Sequence, residues 1–577
     1  MHGYVDICNK GTSGDYLAEA KEALVFLVTA INGAFKIPVG YFLVAGVTGE
    51  QRSNLVRQCL ELLDETGIEV TSLTFDGCPA NISMAKELGC SFNPHNIKSH
   101  FSHPITNRPI FVFPDPCHML KLLRNAFEAY GIIIDNLGRQ INWCLLKELN
   151  EVQEKEKLHL ANKLRRGHIF FKNQKMKVRL ASQLFSESVA DALIFCAKHN
   201  MPKFKAVDGT VDFLKIINNL FDTLNSRSMA QIKFKKPLFP GNKLQTFEFL
   251  DRTETYIKSL QLPDGSTIMQ SSRKTGFIGF LICIKSLKDM YIRLIEQEKR
   301  LQYLPTYKIS QDHIELMFGQ IRAHGGCNTN PTARQFQAIY KKILVKSELR
   351  DVDMGNCTSL EEISYLTCSS AVQHINVTIE PRFIHETQYD DNIDELYEQA
   401  QFDEEISMLV QDLSQFSLQA ISYIAGFVVH ALIKIIKCET CIGALLAEKY
   451  EESHHFIKFK DKGGLMYPSP DVIMICKRME IIIKTTYLTD NKLTVKTKNI
   501  KQELMAKALP HFIGLDLFDN IKFHQFDQSP LNNHIILLIK AIMEKYINLR
   551  LHYLTKSANP TLSKRQVLHK YLHFTGQ

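Results

Sequence analysis

An α/β domain interrupted by a mainly helical insertion, and followed by a mainly helical C-terminal region, is the fold class this sequence predicts. Three observations carry that expectation. Short β-branched and aromatic runs alternate with amphipathic segments through residues 1–125, helical periodicity dominates from about 130 to 305, and a polar, acid-bearing stretch returns near 310 before a second helical region at 416–577.

The elements follow in order. Residues 23–31 and 38–45 are apolar runs flanking Asn32-Gly33, a hairpin-type turn dipeptide, so two antiparallel strands are expected. Residues 53–65 then place Leu55, Val56, Cys59, Leu62 and Leu63 on one helical face, and Gly67 suits the residue after the helix end. Residues 69–75 return as a strand with Asp76 at its carboxyl end. A helix over 81–88 and a strand over 109–113 lead into a helical continuation after Asp115-Pro116-Cys117-His118. Within the insertion, helices are expected at 141–162, 176–199, 210–225 and 277–298. The reading divides the chain at 1–127, 128–305, 306–347, an acidic linker 348–415, and 416–577.

Size and composition agree with several domains. A chain of 577 residues exceeds one compact core, and 45% hydrophobic with 23% charged residues belongs to the folded, globular class. The formal charge is +8, with basic residues gathered at 155–179 and 545–570 and acidic ones at 390–405; the basic stretches are candidates for phosphate contacts. Fourteen cysteines follow no repeating framework and no leader-like start opens the chain, so reduced thiols are expected. The apolar run 423–436 is interrupted by His430 and Lys434, and no membrane span is expected.

Two acids attract attention as metal ligands. Asp76 lies at a strand's carboxyl end, where open α/β sheets leave a crevice, although Asp-Gly is also an ordinary turn pair. Glu315 opens an apolar helix, where a carboxylate also favours the helix dipole, but Arg322 to Pro331 is unusually rich in polar residues and glycine for a packed segment. Trp143 and the phenylalanines lie in apolar runs and form no stacking platform for bases.

The runs Phe75-Asp76-Gly77-Cys78-Pro79-Ala80-Asn81, Asp115-Pro116-Cys117-His118-Met119-Leu120-Lys121-Leu122-Leu123-Arg124-Asn125 and Gln311-Asp312-His313-Ile314-Glu315-Leu316-Met317-Phe318-Gly319 resemble the P-element transposase family, including its THAP-domain vertebrate relatives. The likeness extends from Gly3-Tyr4-Val5-Asp6-Ile7 to Tyr423-Ile424-Ala425-Gly426. It implies an RNase H-like catalytic domain split by a GTP-binding-like insertion, cut-and-paste DNA strand cleavage and transfer with Mg²⁺, and nuclear location. Implied partners are the transposon ends, target DNA, GTP and a second copy of the chain, with no membrane. By position Asp76 would be the second catalytic acid and Glu315 the third, both metal ligands. Nucleotide contacts carried over from the family fall on Lys177, Val178, Ser186, Asn218 and Asp222, with Asp312 joining from the catalytic segment. No Gly-x-x-x-x-Gly-Lys-Ser/Thr run is present, so a P-loop is not the cradle.

The departure from the family lies at the start. The first acid of the family precedes the Gly-Tyr-Val-Asp-like segment, which here begins at Gly3, and Asp6 would need a changed register to replace it. The expectation is that the first catalytic Asp and its strand, the THAP module and the coiled coil are missing, that the protein is inactive as given, and that the lost strand leaves sheet edges unpaired. The alternative is a domesticated, non-catalytic DNA- or GTP-binding protein. Asp115 to His118 is expected to shape the site rather than bind metal. Cys438-Glu439-Thr440-Cys441 has metal-ligand spacing, yet His430, His454, His455 and Cys476 offer no second pair at firm spacing, and a structural pair at a helix end is favoured.

Overall fold

The computed structural model describes Val5 and residues 19–33, 35–324, 330–345, 413–489, 492–493, 499–512, 515–521 and 533–558. Asp6, the Gly325-Gly326 turn, the acidic stretch 390–405 and the basic residues beyond 558 lie outside the described residues. The chain divides into two compact units, one of 1–147, 163–190 and 206–376, the other of 148–162, 191–205 and 377–577.

The first unit opens with the expected hairpin. Strands β1 (Glu22–Thr29) and β2 (Lys36–Val44) pair antiparallel with a register shift between Phe26 and Leu27, and Ala30 N–H donates to the Phe35 carbonyl at 3.1 Å to close the turn. Helix α1 (Gly49–Glu65) starts earlier than its apolar face suggests, because Thr48 and Gln51 form a reciprocal capping box with bonds of 3.0 and 3.2 Å. It ends at Thr66, and Gly67 adopts φ +75°, a left-handed conformation that glycine supplies without a Cβ penalty.

There follow β3 (Ser72–Phe75), α2 (Pro79–Glu87), β4 (Ser91–Asn93), β5 (Asn96–Lys98), β6 (His100–Ser102), β7 (Pro109–Pro114) and α3 (Pro116–Tyr130). Strand β7 lies between β3, to which it is parallel, and β6, to which it is antiparallel. Phe75, Phe101, Ile110 and Val112 form a core with Val56 and Leu60 of α1 and Met84 of α2.

The insertion region continues with β8 (Ile132–Ile134), β9 (Gln140–Asn142), α4 (Cys144–Glu156), α5 (Arg166–Ile169), α6 (Val178–Leu184), α7 (Glu187–Lys198), α8 (Asp208–Leu224), α9 (Lys243–Ser259) and α10 (Thr275–Tyr291). Two expected helices differ. The one at 141–162 begins only at Cys144, because 140–142 pairs with β8 instead. The one at 176–199 breaks at Phe185-Ser186, where the Ser186 hydroxyl turns back to the Gln183 carbonyl at 2.8 Å.

Helix α10 falls within the expected insertion, yet it is seated on β7 and α3. Glycine makes that approach feasible: a Cβ at Gly279 would meet the Met119 sulfur at 2.0 Å, and one at Gly276 would meet the Leu123 nitrogen at 2.9 Å. The Ser286 hydroxyl donates to the Val112 carbonyl at 2.6 Å and fixes the depth of the helix on the sheet. Beyond it, Arg293, Arg300 and Arg108 all pair with Glu69, the first at 3.1 Å and the last at 2.6 Å, and anchor the chain leading into β3.

Helices α11 (Asp312–His324) and α12 (Ala333–Val345) complete the unit by packing on the hairpin. Leu316, Met317 and Ile321 meet Phe336, Ile339 and Tyr340 around Val25, and Tyr41 of β2 stands edge-on to Phe336 and Tyr340 at 5.2 and 4.8 Å between centroids.

Among the described residues, no strand pairs with the outer edge of β1 or the outer edge of β3. Between these edges run two cavities of about 460 and 210 Å³, lined by Phe26 and Leu27 of β1, Ser72 and Leu73 of β3, and Val56 of α1.

In the second unit, α13 (Gln415–Ile433), α14 (Glu439–Leu445), α15 (His455–Lys460), α16 (Pro470–Tyr487), α17 (Ile500–Ala508) and α18 (His534–Ala558) surround an aliphatic core. Helix α13 is long and apolar enough to cross a bilayer by length and composition, with most of that stretch buried in the unit. At the centre Glu480 accepts from Arg550 Nε and Nη2 at 2.5 and 2.6 Å and from the Tyr546 hydroxyl at 2.8 Å.

Candidate active site

The parallel register of β3 and β7 sets Phe75 opposite Pro114, so the next residues, Asp76 and Asp115, emerge together at the carboxyl ends of adjacent strands. Asp115 N–H donates to the Phe75 carbonyl at 2.8 Å and continues the ladder to the edge of the site.

Asp76 is half-buried and held from below. Its Oδ1 accepts from Cys78 N–H and from Asn81 Nδ2, both at 2.9 Å, while Asn81 Oδ1 accepts from Arg52 Nη1 at 2.6 Å. A relay from α1 through α2 therefore fixes the carboxylate. The five-residue spacing of Asn81 from Asp76, spanning the strand end and the first turn of a helix, is the sequence signal for this support.

Asp115 is buried and caps α3. Its Oδ2 accepts from His118 N–H at 2.7 Å and its Oδ1 accepts from Gln311 N–H at 3.0 Å, a bond across 196 residues. Thr74 of β3 adds a second clamp, its hydroxyl donating to the Ile309 carbonyl at 2.6 Å. Together the two strands grip 309–311, the lead into α11, and so deliver Asp312 and Glu315 to the same end of the sheet.

The electrostatics confirm the convergence. Burial, then the charge on Asp312, then that on Glu315 push the Asp115 carboxyl up to about 7 against the two backbone hydrogen bonds that favour its ionised form. His118 is held below the usual imidazole range by burial and by Lys121, with Asp76 opposing. Asp312 and Glu315 thus lie within electrostatic range of Asp115, at the end of the strand beside the one that leads to Asp76.

Oxygen donors of this kind suit Mg²⁺. Asp115 accepts one backbone N–H bond on each oxygen and so positions the chain at 118 and 311; Asp76 and Glu315 are half-buried carboxylates toward the same sheet end that could hold a cation. Among the described residues, these acids do not form a group of three ligand atoms within 4.8 Å of one another.

The residues carried over for nucleotide binding are more dispersed. Asn218 Nδ2 donates to Asp222 Oδ2 at 3.2 Å on α8, and burial raises the Asp222 carboxyl while Lys235 and Lys163 oppose and Glu187 adds to the shift. Ser186, next to Glu187, is buried with its hydroxyl on Gln183, Val178 is buried, and Lys177 is exposed at the start of α6. Asp312 is buried within range of Asp115. Lys163 and Lys235 were not anticipated, because their distance along the sequence from Asp222 hides them. Arg124 links α3 to this region, its guanidinium 3.9 Å above the Phe171 ring and its Nη2 donating to the Lys175 carbonyl at 2.7 Å.

Four family models match in order along the chain: the TNP-like RNase H N-terminal domain over 1–89, the TNP-like GTP-binding insertion domain over 117–237, the TNP-like RNase H C-terminal domain over 307–341, and the DNA transposase THAP9 C-terminal domain over 412–556. The chain is 29% identical over 563 residues to DNA transposase THAP9 of Homo sapiens, covering 95% of this chain and 61% of that protein. It is 25% identical over 515 residues to the Transposable element P transposase of Drosophila melanogaster, covering 86% and 61%. The chain therefore spans about three-fifths of the length of these relatives. The solved Drosophila P element transposase strand transfer complex aligns with a TM-score of 0.50 at 26% identity, over 60% of this chain and 75% of that one. Two RNase H-like segments flanking a GTP-binding-type insertion, with the acids at the sheet end between them, place the chain in the P-element/THAP9-like transposase family.

Proposed function

We propose that this chain is a P-element-like DNA transposase module in which Asp76 and Glu315 hold Mg²⁺ against a DNA phosphodiester and the insertion binds GTP. The observation that carries the reading is the clamp of Asp115 on Gln311, which brings the Glu315 helix to the strand ends that bear Asp76. When bound, Mg²⁺ withdraws charge from the phosphate and activates the attacking oxygen. The chain's own residues do the rest: Arg52 and Asn81 orient Asp76, while Asp115 and Thr74 set the first turn of α11. DNA as substrate makes the nucleus the expected location.

A two-metal site needs a third acid beside Asp76 and Glu315; among the described residues no third acid groups with them within ligand distance, and Asp115 is held by two backbone N–H donors. We infer that the acids among the described residues do not by themselves cleave DNA, and the non-catalytic DNA- or GTP-binding protein is the second reading. Incubation with family-type terminal-repeat DNA and Mg²⁺ tests this. No nicking above background is expected; efficient nicking that disappears in Glu315→Ala would overturn the inactivity. For the insertion, GTP titration by calorimetry is expected to give binding that weakens in Asp222→Ala, and equal affinities in the two proteins would remove the nucleotide assignment.

A further inference from the structure

We propose that Cys438, Cys441 and His534 bind one Zn²⁺ ion, which clips the start of α14 to the start of α18. The sequence shows only the Cys-x-x-Cys half of this arrangement. The fold of the second unit brings His534 to it from 93 residues away, with its Nδ1 3.4 Å from the Cys441 sulfur. One ligand atom from each of the three residues lies within 4.8 Å of the other two, and no other such group of three occurs among the described residues.

The geometry and the donor types point to the same metal. A tetrahedral zinc with Zn–S near 2.3 Å and Zn–N near 2.0 Å sets sulfur and nitrogen ligands roughly 3.5 Å apart, close to the separation already present. Thiolate and imidazole ligands are too soft for Mg²⁺ or Ca²⁺ and suit zinc. A water would supply the fourth ligand. Cys441 is buried and Cys438 half-buried, so the two sulfurs and the imidazole form a partly enclosed ligand set. Of the other candidates raised by the sequence, His454 lies with Nε2 2.8 Å from the Pro468 carbonyl and Cys476 is buried beside Glu480, and neither joins this group.

The test is metal content of the full chain purified under reducing conditions, by inductively coupled plasma mass spectrometry. About one zinc per chain is expected, lost from the Cys438→Ser/Cys441→Ser double variant. Because that variant can misfold, the metal-free wild-type chain is also titrated with Co²⁺. Tetrahedral d–d bands with thiolate-to-cobalt charge transfer are expected, and His534→Ala should shift the d–d bands while keeping the charge transfer. A zinc-free wild-type chain that gives no charge-transfer band with Co²⁺, or full zinc retention in the double variant, would overturn the site.

Discussion

Asp115 in the first unit and Glu480 in the second are both fully buried carboxyls, and they differ in the company they keep. Glu480 is met by a buried guanidinium and a phenol, so its charge is neutralised on the spot. Asp115 accepts from two backbone N–H groups and lies within electrostatic range of two further acids, Asp312 and Glu315. A charge paired as in the first case holds helices together; acids gathered as in the second supply the oxygen donors that a divalent cation takes. Burial alone does not separate structural from functional acids, whereas the sign of the neighbours does.

The largest effect expected from breaking this contrast is on the second unit. Glu480→Ala leaves Arg550 buried without its partner and should cost about 3–5 kcal/mol in denaturant unfolding, much of it recovered by adding Arg550→Met. Asp115→Ala removes two acceptors and should cost about 1–3 kcal/mol, with faster hydrogen exchange across 311–315 and unchanged exchange across 470–487. Unchanged exchange at 311–315 would break the positioning role. Mg²⁺ at ten times its dissociation constant should stabilise the wild-type first unit by roughly 1.4 kcal/mol and do nothing for the second, an asymmetry lost in Asp76→Ala.

The smallest expected effect is a pH dependence away from the acids. His168 is buried against Gln183 with a pKa held below its ordinary 6.5, chiefly by burial. Its folded form therefore resists protonation, so the stability it contributes is present above pH 6.5 and declines as the pH falls below that value, where the unfolded chain gains the proton first. Thermal melts of wild type and His168→Gln should converge at neutral pH and diverge in slope below 6.

Much of this was legible in the sequence because it is local. The hairpin, α1 with Gly67, and the strand ending at Asp76 follow from turn residues and apolar period within short windows. Helix α9 went unread because threonines Thr246 and Thr253 share its buried face with Phe249 and Leu250, blurring the apolar stripe. The clamp of Asp115 on Gln311 and the approach of His534 to Cys441 depend on tertiary closure over long stretches of chain, which no spacing rule encodes. Whether the segment before β1 pairs with the edges of β1 or β3 falls outside the described residues, which begin in earnest at residue 19.

Calorimetric titration of Mn²⁺, a paramagnetic stand-in for Mg²⁺, into the wild-type chain, Asp76→Ala and Glu315→Ala tests the central claim most directly. One saturable site lost in both variants, with Glu480-centred stability unchanged, is the predicted result. Identical isotherms in all three proteins would contradict the assignment of the strand-end acids as a metal site.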